Sequence, residues 1–169
     1  LIDAREDKNL WNGQYESEMK DILKLQSNVS QKIASEIKVT ITPEEKISLA
    51  QTEEVNSEAY QLYLYGRYHW NKRSPESLNK EISYFKQAIK KDSNYALAYT
   101  GLADSYHLLS TYGLLKPQDA FTKSKRAVNK ALELDDKLSD AHNSLAAINY
   151  YYDWNWKEAE AEFIKAIEY

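Results

Sequence analysis

One short pattern recurs three times in the second half of the chain, and it restricts the folds that such a chain can adopt. The pattern is an alanine flanked by apolar residues, and its copies are Phe85–Ile89, Val128–Leu132 and Phe163–Ile167. The central alanines are separated by 43 and 35 residues. Recurrence at such a period is typical of repeat proteins, in which one supersecondary unit is copied and stacked.

A second pattern combines an aromatic residue, a leucine, a small residue and another aromatic. Its best copy consists of Tyr99, Leu102, Ala103 and Tyr106. The next copy consists of His142, Leu145, Ala146 and Asn149, with asparagine in place of the second aromatic. The first copy is less regular and is best fitted by Leu62, Tyr65, Gly66 and His69. Together the two patterns resemble the tetratricopeptide repeat, a helix–turn–helix unit of about 34 residues.

The resemblance implies an all-α fold, a solenoid of three tetratricopeptide hairpins at about 57–93, 94–136 and 137–169. We expect their helices at 57–71, 75–91, 96–110, 117–135, 139–152 and 156–169. The small residues let paired helices approach closely, and stacking buries the face that each hairpin leaves exposed. Ser74 before Pro75 supports one helix start, since serine is a favoured N-cap and proline a favoured first residue.

Two places depart from the family pattern. Glu81 occupies a position where a small residue is expected, which argues against tight packing at that point. The second repeat also exceeds the 34-residue period by about nine residues, which predicts a lengthened hairpin connection. The insertion contains Tyr112, Leu114 and Leu115, which are apolar where a plain loop is polar. It is therefore either a tolerated surface insertion or a loop that contacts a partner.

Residues 1–56 form a different unit. Apolar residues between Met19 and Ile37 recur at helical spacing and predict an amphipathic helix from about 17 to 38. Around it lie Leu1–Ala4, Leu10–Trp11, Tyr15, the short predicted strand Val39–Ile41 and the helix start Thr42–Glu45. This arrangement resembles the closing part of the TolB-like α/β domain that precedes tetratricopeptide repeats in many bacterial regulators. The resemblance implies a short α/β remnant here, cut from a parent with a winged-helix, nucleotide-cyclase or kinase domain upstream.

Composition excludes several kinds of chemistry. The chain has no cysteine, and its four glycines are too scattered for a phosphate-binding loop. Its three histidines occur one per repeat, without a second pair of metal ligands. A net charge of -4 gives no general reason to bind nucleic acid, and no apolar run is long enough to span a membrane. We therefore expect no enzyme, metal or cofactor, and both cytoplasm and periplasm remain open.

The aromatic content of the chain favours a protein-binding function. The chain has 14 tyrosines and four tryptophans, residue types that lead among interface hot spots. In the family that the chain resembles, first helices line a concave groove, so the resemblance implies a groove for a peptide or partner protein. The candidate groove residues are Tyr60, Tyr63, His69, Tyr99, Tyr106, His142 and Asn149. For each of them, packing between helices is the simpler alternative.

The predicted function is a non-catalytic interaction module within a larger bacterial signalling or transcription regulator. Two alternatives remain open, a sensor that binds a small ligand and a structural spacer beside an upstream enzyme such as a nucleotide cyclase. Basic clusters such as Lys123–Arg126 are explained by a solvated helix face or by groove cations that hold a peptide carboxylate. Apolar residues in Phe163–Tyr169 predict self-association as a homodimer through uncapped ends.

Overall fold

The computed structural model describes residues 2–3, 8–9, 22–36, 42 and 56–169. The chain divides into two units, an N-terminal unit of residues 1–57 and a repeat unit of residues 58–169. In the N-terminal unit, strand β1 (Ile2–Asp3) pairs antiparallel with β2 (Lys8–Asn9), and helix α1 covers Ile22–Glu36. The predicted strand at 39–41 and most of the helix start at 42–45 lie outside the described residues.

The repeat unit consists of three helical hairpins, which confirms the predicted all-α repeat architecture. Its helices are α2 (Ser57–Asn71) and α3 (Pro75–Lys91), α4 (Ala96–Thr111) and α5 (Pro117–Leu134), then α6 (Ser139–Ile148) and α7 (Trp156–Glu168). Between α6 and α7 the chain forms a π-helical segment, Asn149–Asp153. The helices therefore match the predicted ones, except that the fifth changes to wider turns where a continuous α-helix was expected.

The helix starts follow from local chemistry. Ser74 caps α3, because the Ser77 amide donates to the Ser74 hydroxyl oxygen at 3.3 Å and Pro75 is the first helical residue. Asn155 caps α7 through its side-chain oxygen, which accepts from the Glu158 amide at 3.4 Å. These caps hold the second helices of the first and third hairpins at fixed starting points.

The core of the repeat unit follows the small-residue pattern. Ala88 and Ala131 are fully buried, whereas Ala166 is half-buried on α7. The Phe85 ring is also fully buried and lies against Gly66 of α2 and Gly101 of α4. A Cβ at Gly101 would stand 2.6 Å from a ring atom, closer than carbon atoms pack. Both glycines are thus required by the close approach of the aromatic ring.

The third hairpin bends through an unusual connection. The Asn149 carbonyl accepts from the backbone amides of both Trp154 and Asn155, the second at 3.0 Å. Trp154 adopts a left-handed conformation with φ of 56°, which is uncommon for a bulky residue. Its side chain is exposed and lies edge-on to Trp156. The connection therefore presents two tryptophans to solvent while Asn149 stays buried.

Among the helices that the structure describes, none combines the length and the apolar character needed to cross a membrane.

Candidate functional site

The first helices of the three hairpins contribute side chains to one surface, here called the first-helix face. Its aromatic component is Tyr63 of α2, whose ring lies 5.8 Å from Phe85 and 5.4 Å from Tyr95, centroid to centroid. Burial raises the pKa of the Tyr63 hydroxyl, and the negative charges of Asp140 and Asp104 act in the same direction. Residues from α2, α4 and α6 are therefore close enough to interact electrostatically.

Asp104 is the central charged group of the first-helix face. Its carboxylate accepts a hydrogen bond from the Ser144 hydroxyl of α6 at 2.6 Å, which links the second and third hairpins. Burial raises the pKa of Asp104 to about 6, although the Ser144 hydrogen bond and the charge of Arg67 oppose this change. A carboxylate in such surroundings favours a nearby cation, because a positive charge compensates for lost hydration.

The charges of Arg67 and Arg73 both act on this carboxylate and oppose the rise of its pKa on burial. Both guanidinium groups lie over the Trp70 ring, that of Arg67 at 4.7 Å and that of Arg73 at 3.6 Å from its centroid. Further along, the His107 ring lies 5.5 Å from Tyr151, whose side chain is exposed. Such groups are capable of cation–π, charge and stacking contacts.

None of these residues is among the candidate groove residues predicted from the sequence. One signal was available, since Arg67 and Asp104 each directly follow the small residue of the second pattern. They therefore hold equivalent positions in successive repeats and project from equivalent turns of α2 and α4. Tyr60 and Tyr63, which were predicted, do lie on the same helix as Arg67 and are half-buried.

Tyr99 and Tyr106 lie elsewhere, in a cleft between the second helices α3 and α5, here called the second-helix cleft. Together with Leu102 of α4 they form its floor. The cavity encloses about 630 Å³ and is bordered by Ile89, Ala127 and several charged side chains, namely Lys86, Lys123, Arg126, Lys130 and Glu133. The predicted groove residues are thus divided between two surfaces instead of forming one.

His142 and Asn149 lie in the interior, with 5% and 8% of their surfaces exposed, so neither presents a surface to a partner. The Nδ1 atom of His142 lies 2.5 Å from the Glu162 carboxylate, and its Nε2 lies 2.9 Å from the Asp136 carbonyl oxygen. Both partners are hydrogen-bond acceptors, and together they fix the orientation of the ring. His142 joins α6 to α7, and its role in the structure is packing.

His69 is half-buried on α2 and stacks on Tyr84 of α3, with ring centroids 5.5 Å apart and nearly parallel planes. Within the described part of the chain its Nδ1 atom has no hydrogen-bond partner. Burial lowers the pKa of this ring, and Lys72 and Lys80 act in the same direction. A neutral imidazole here is suited to stacking between the helices of the first hairpin.

The insertion in the second repeat is anchored to the first hairpin. The Tyr112 hydroxyl donates to the Arg73 carbonyl oxygen at 2.9 Å, across 39 residues of sequence. The amides of Leu114 and Leu115 both donate to the Leu109 carbonyl oxygen, which closes a compact turn. Leu114 remains half exposed, and both leucines border a second cavity of about 460 Å³ that shares Lys86, Tyr106 and Lys123 with the first cavity. Tyr112 positions the insertion, and the two leucines extend the second-helix cleft.

Glu81, where the sequence argued against tight packing, is instead fully buried, and that expectation is wrong. Phe85 fills the space beside it against Gly66 and Gly101, so the helices close over the carboxyl group. Within the described residues, no group of three or more His, Asp or Glu side chains is arranged to hold a metal ion.

No protein-family model matches the chain. A stretch of 100 residues, 59% of the chain, is 31% identical to the Transcriptional regulator HilA of Salmonella typhimurium, and equally to that of Salmonella typhi. A stretch of 90 residues, 53% of the chain, is 33% identical to Superkiller protein 3 of Schizosaccharomyces pombe. The chain spans only 18% and 6% of the lengths of these proteins. The similarities and the all-helical hairpins are together compatible with a tetratricopeptide-like repeat protein.

Proposed function

We propose that the repeat unit is a non-catalytic protein-interaction module that binds a peptide or partner segment on its first-helix face, as part of a larger bacterial regulator. The observations that carry the proposal are the Ser144–Asp104 hydrogen bond between successive first helices and the charges of Arg67, Asp104 and Asp140, which all lie near enough to act on the Tyr63 hydroxyl. Charged groups of both signs next to an aromatic ring suit recognition of a polypeptide, which offers complementary charges and apolar side chains.

The burial of His142 and Asn149 also weighs against a small-ligand sensor. A sensor groove depends on several convergent polar groups that fix the orientation of a small molecule. Two of the polar side chains that would have served this purpose are instead used inside the third hairpin. The similarity to a transcriptional regulator supports a regulatory setting for the proposed module.

The proposal is tested by selecting binders from a random-peptide display library on the immobilised whole chain. We expect enriched peptides whose affinity falls when Arg67→Ala or Asp140→Lys is introduced, because both side chains belong to the first-helix face. Asp119→Lys is the matched control, since Asp119 is an exposed acid on α5 outside this face. Failure to enrich any peptide, or equal loss in the control, would contradict the proposal.

Several finer expectations stay predictions. Residues 1–45 resemble a TolB-like tail, and a longer sequence of the parent protein would test that resemblance. Self-association is supported by exposed apolar side chains on α7, where Ile164 and Ile167 are 49% and 85% exposed. Light scattering over a concentration series tests it, with Ile167→Glu expected to lower any rise in mass.

A further inference from the structure

The second-helix cleft has an apolar floor and a basic border, a combination that the proposed function does not use. Its floor is formed by Tyr99, Leu102 and Tyr106 of α4, with Ile89 and Ala127 on either side. Such a floor favours apolar side chains, because covering it removes apolar surface from water. The cleft therefore provides a hydrophobic contact of its own, on helices α3 and α5 instead of on the first-helix face.

The border of the second-helix cleft carries four cations. Lys123, Arg126 and Lys130 follow one another at i, i+3 and i+7, so they form a stripe along one side of α5. Lys86 of α3 stands on the opposite side of the same cavity. Glu133 is the one acid on the border, and it is paired with Lys130 at 3.0 Å.

The remaining three cations have no acidic partner within the part of the chain that the structure describes. Lys123 lies over the Tyr106 ring at 5.7 Å, whereas no ion pair among the described residues involves Lys86 or Arg126. Three uncompensated positive charges around an apolar floor produce a local positive field, although the chain as a whole has a net charge of -4. The occupant of this cleft is therefore expected to carry negative charge beside an apolar face.

The shape of the cleft favours an elongated occupant. The stripe from Lys123 to Lys130 is about 10 Å long, because each helical residue rises about 1.5 Å. The cavity continues past Tyr106 into the second cavity, whose wall includes Leu114 and Leu115 from the insertion. An occupant that contacts both cavities must span about two helical turns or more.

We propose that the second-helix cleft binds a short acidic amphipathic helix of a partner protein. Its apolar side chains would cover Tyr99, Leu102 and Tyr106, and its acidic side chains would face Lys86, Lys123 and Arg126. Helix-in-groove recognition of this kind uses anchors at i, i+3, i+4 and i+7. Nucleic acid fits the cations but leaves the apolar floor unused, so the peptide explains both features.

The test uses the whole chain and a fluorescent helical peptide of about 14 residues, four turns, with leucines on one face and glutamates on both flanks. We expect saturable binding by anisotropy, and weaker binding when salt screens the charges. The double variant Lys123→Glu/Arg126→Glu should lower the affinity about tenfold or more, since both charges then repel the peptide. Lys157→Glu, an exposed lysine on α7 outside the cleft, should leave the affinity unchanged.

Five outcomes would overturn the proposal. A peptide with lysines in place of the glutamates could bind equally well, or the double variant could bind like the unaltered chain while circular dichroism shows an intact fold. A short oligonucleotide could bind through Lys123 and Arg126 where the acidic peptide does not. Finally, the double variant could abolish self-association without any peptide binding, which would make a second copy of the chain the occupant. Loss of binding in Asp140→Lys alone would place the peptide on the first-helix face instead.

Discussion

The first and third hairpins each bury a glutamate, but the two carboxyl groups lie in opposite surroundings. Glu81 of α3 is fully buried, and both its oxygens lack a hydrogen-bond partner among the described residues. Glu162 of α7 is also buried, yet it contacts the His142 ring at 2.5 Å and the Lys165 ammonium at 2.7 Å. The first hairpin therefore buries a carboxyl group that accepts no hydrogen bond among the described residues, whereas the third buries one that contacts two basic side chains.

The pKa values of the two groups change in opposite directions. Burial raises the pKa of Glu81 to about 7, and the Ser105 side chain and the charges of Arg73 and Arg67 counter this only in part. The nearby Ser105 hydroxyl gives its proton to the Gly101 carbonyl oxygen, 2.8 Å away. For Glu162, burial also raises the pKa, but the hydrogen bonds and charges of Lys165 and His142 outweigh it and leave the pKa below its usual value. Equal burial thus has unequal consequences, because partners decide which protonation state is favoured.

The largest expected effect comes from removing the imidazole that contacts Glu162, so that the buried carboxyl group of the third hairpin loses a partner. His142→Leu leaves Glu162 buried with only the exposed Lys165 as partner, so we expect a loss of about 3–5 kcal/mol at neutral pH. Urea unfolding measures this loss in the free energy of unfolding. His69→Leu is the matched control, because that ring stacks on Tyr84 without an acidic partner. Equal losses in both variants would show that the His142–Glu162 contact does not contribute more to stability than the packing of a histidine ring.

The second effect concerns the pH dependence of stability. The pKa of Glu81 is about 7 in the folded chain and near 4.5 when unfolded, so the folded state binds more protons between these values. Its contribution to stability is full below pH 4.5 and is lost as the pH rises to about 7, a change on the order of 3 kcal/mol. Glu81→Gln removes this titration, and we expect the variant to gain stability relative to the parent over that range.

Urea unfolding at several pH values compares the two chains. Asp104, whose pKa is also raised, titrates in both chains, and its charge helps to raise the pKa of Glu81, so the difference between the curves reports Glu81 together with its coupling to Asp104. Glu162→Gln should change the pH dependence of stability in the opposite sense. A carboxyl group with a lowered pKa in the folded chain contributes stability above its unfolded pKa, and that contribution is lost as the pH falls. If the free energy of unfolding changed with pH in the same way for the parent chain and Glu81→Gln, Glu81 would not have a raised pKa, and the contrast between the hairpins would be wrong.

The third prediction concerns the packing of the Phe85 ring against Gly101, beside the buried Glu81. Gly101→Ala places a Cβ 2.6 Å from the Phe85 ring, and we expect a cost of about 1–3 kcal/mol from overpacking. Phe85→Leu offers the added methyl more room, so the double variant should be less destabilised than the sum of the single ones. Thermal unfolding of the four chains gives the coupling. Simple additivity would mean that the ring does not limit the approach of α4.

The smallest effect comes from the outer partner of Glu162. The Lys165 side chain is 44% exposed, so water screens its interaction with the carboxylate. We expect Lys165→Met to lower the melting temperature less than His142→Leu does, and added salt to reduce the difference from the parent chain. A larger effect for Lys165→Met would make the ammonium, and not the imidazole, the main partner of the buried carboxylate.

Much of the fold was predictable because the packing pattern is local and repeated. Ala88 and Ala131 lie at close helix contacts, and the alternation of small and large residues along each helix indicates which face is buried. The same reasoning predicted the helix start at Ser74 and Pro75. The π-helical segment was not predicted, because its wide turn depends on the carbonyl of buried Asn149 and leaves no pattern in the residue types.

The candidate sites were less predictable. Tyr99 and Tyr106 lie on a first helix, yet they form the floor of a cleft between second helices, since the rotation of α4 is set by its contacts with α3 and α5. Asp104 lies on the first-helix face of that helix, where Ser144 holds it. Asp104 and Tyr106, two positions apart on α4, thus lie on different surfaces. Helical spacing alone does not show which neighbouring helix each residue contacts.

The sequence alone determined that this chain forms three helical hairpins with small residues at their contacts, because periodicity and caps act within a few turns of chain. Tertiary structure decided how the polar groups are paired. His142 contacts Glu162 from 20 residues away, whereas the Glu81 oxygens have no hydrogen-bond partner among the described residues. Pairing depends on which helices stack and at what rotation, and those are properties of the assembled hairpins and not of any single segment.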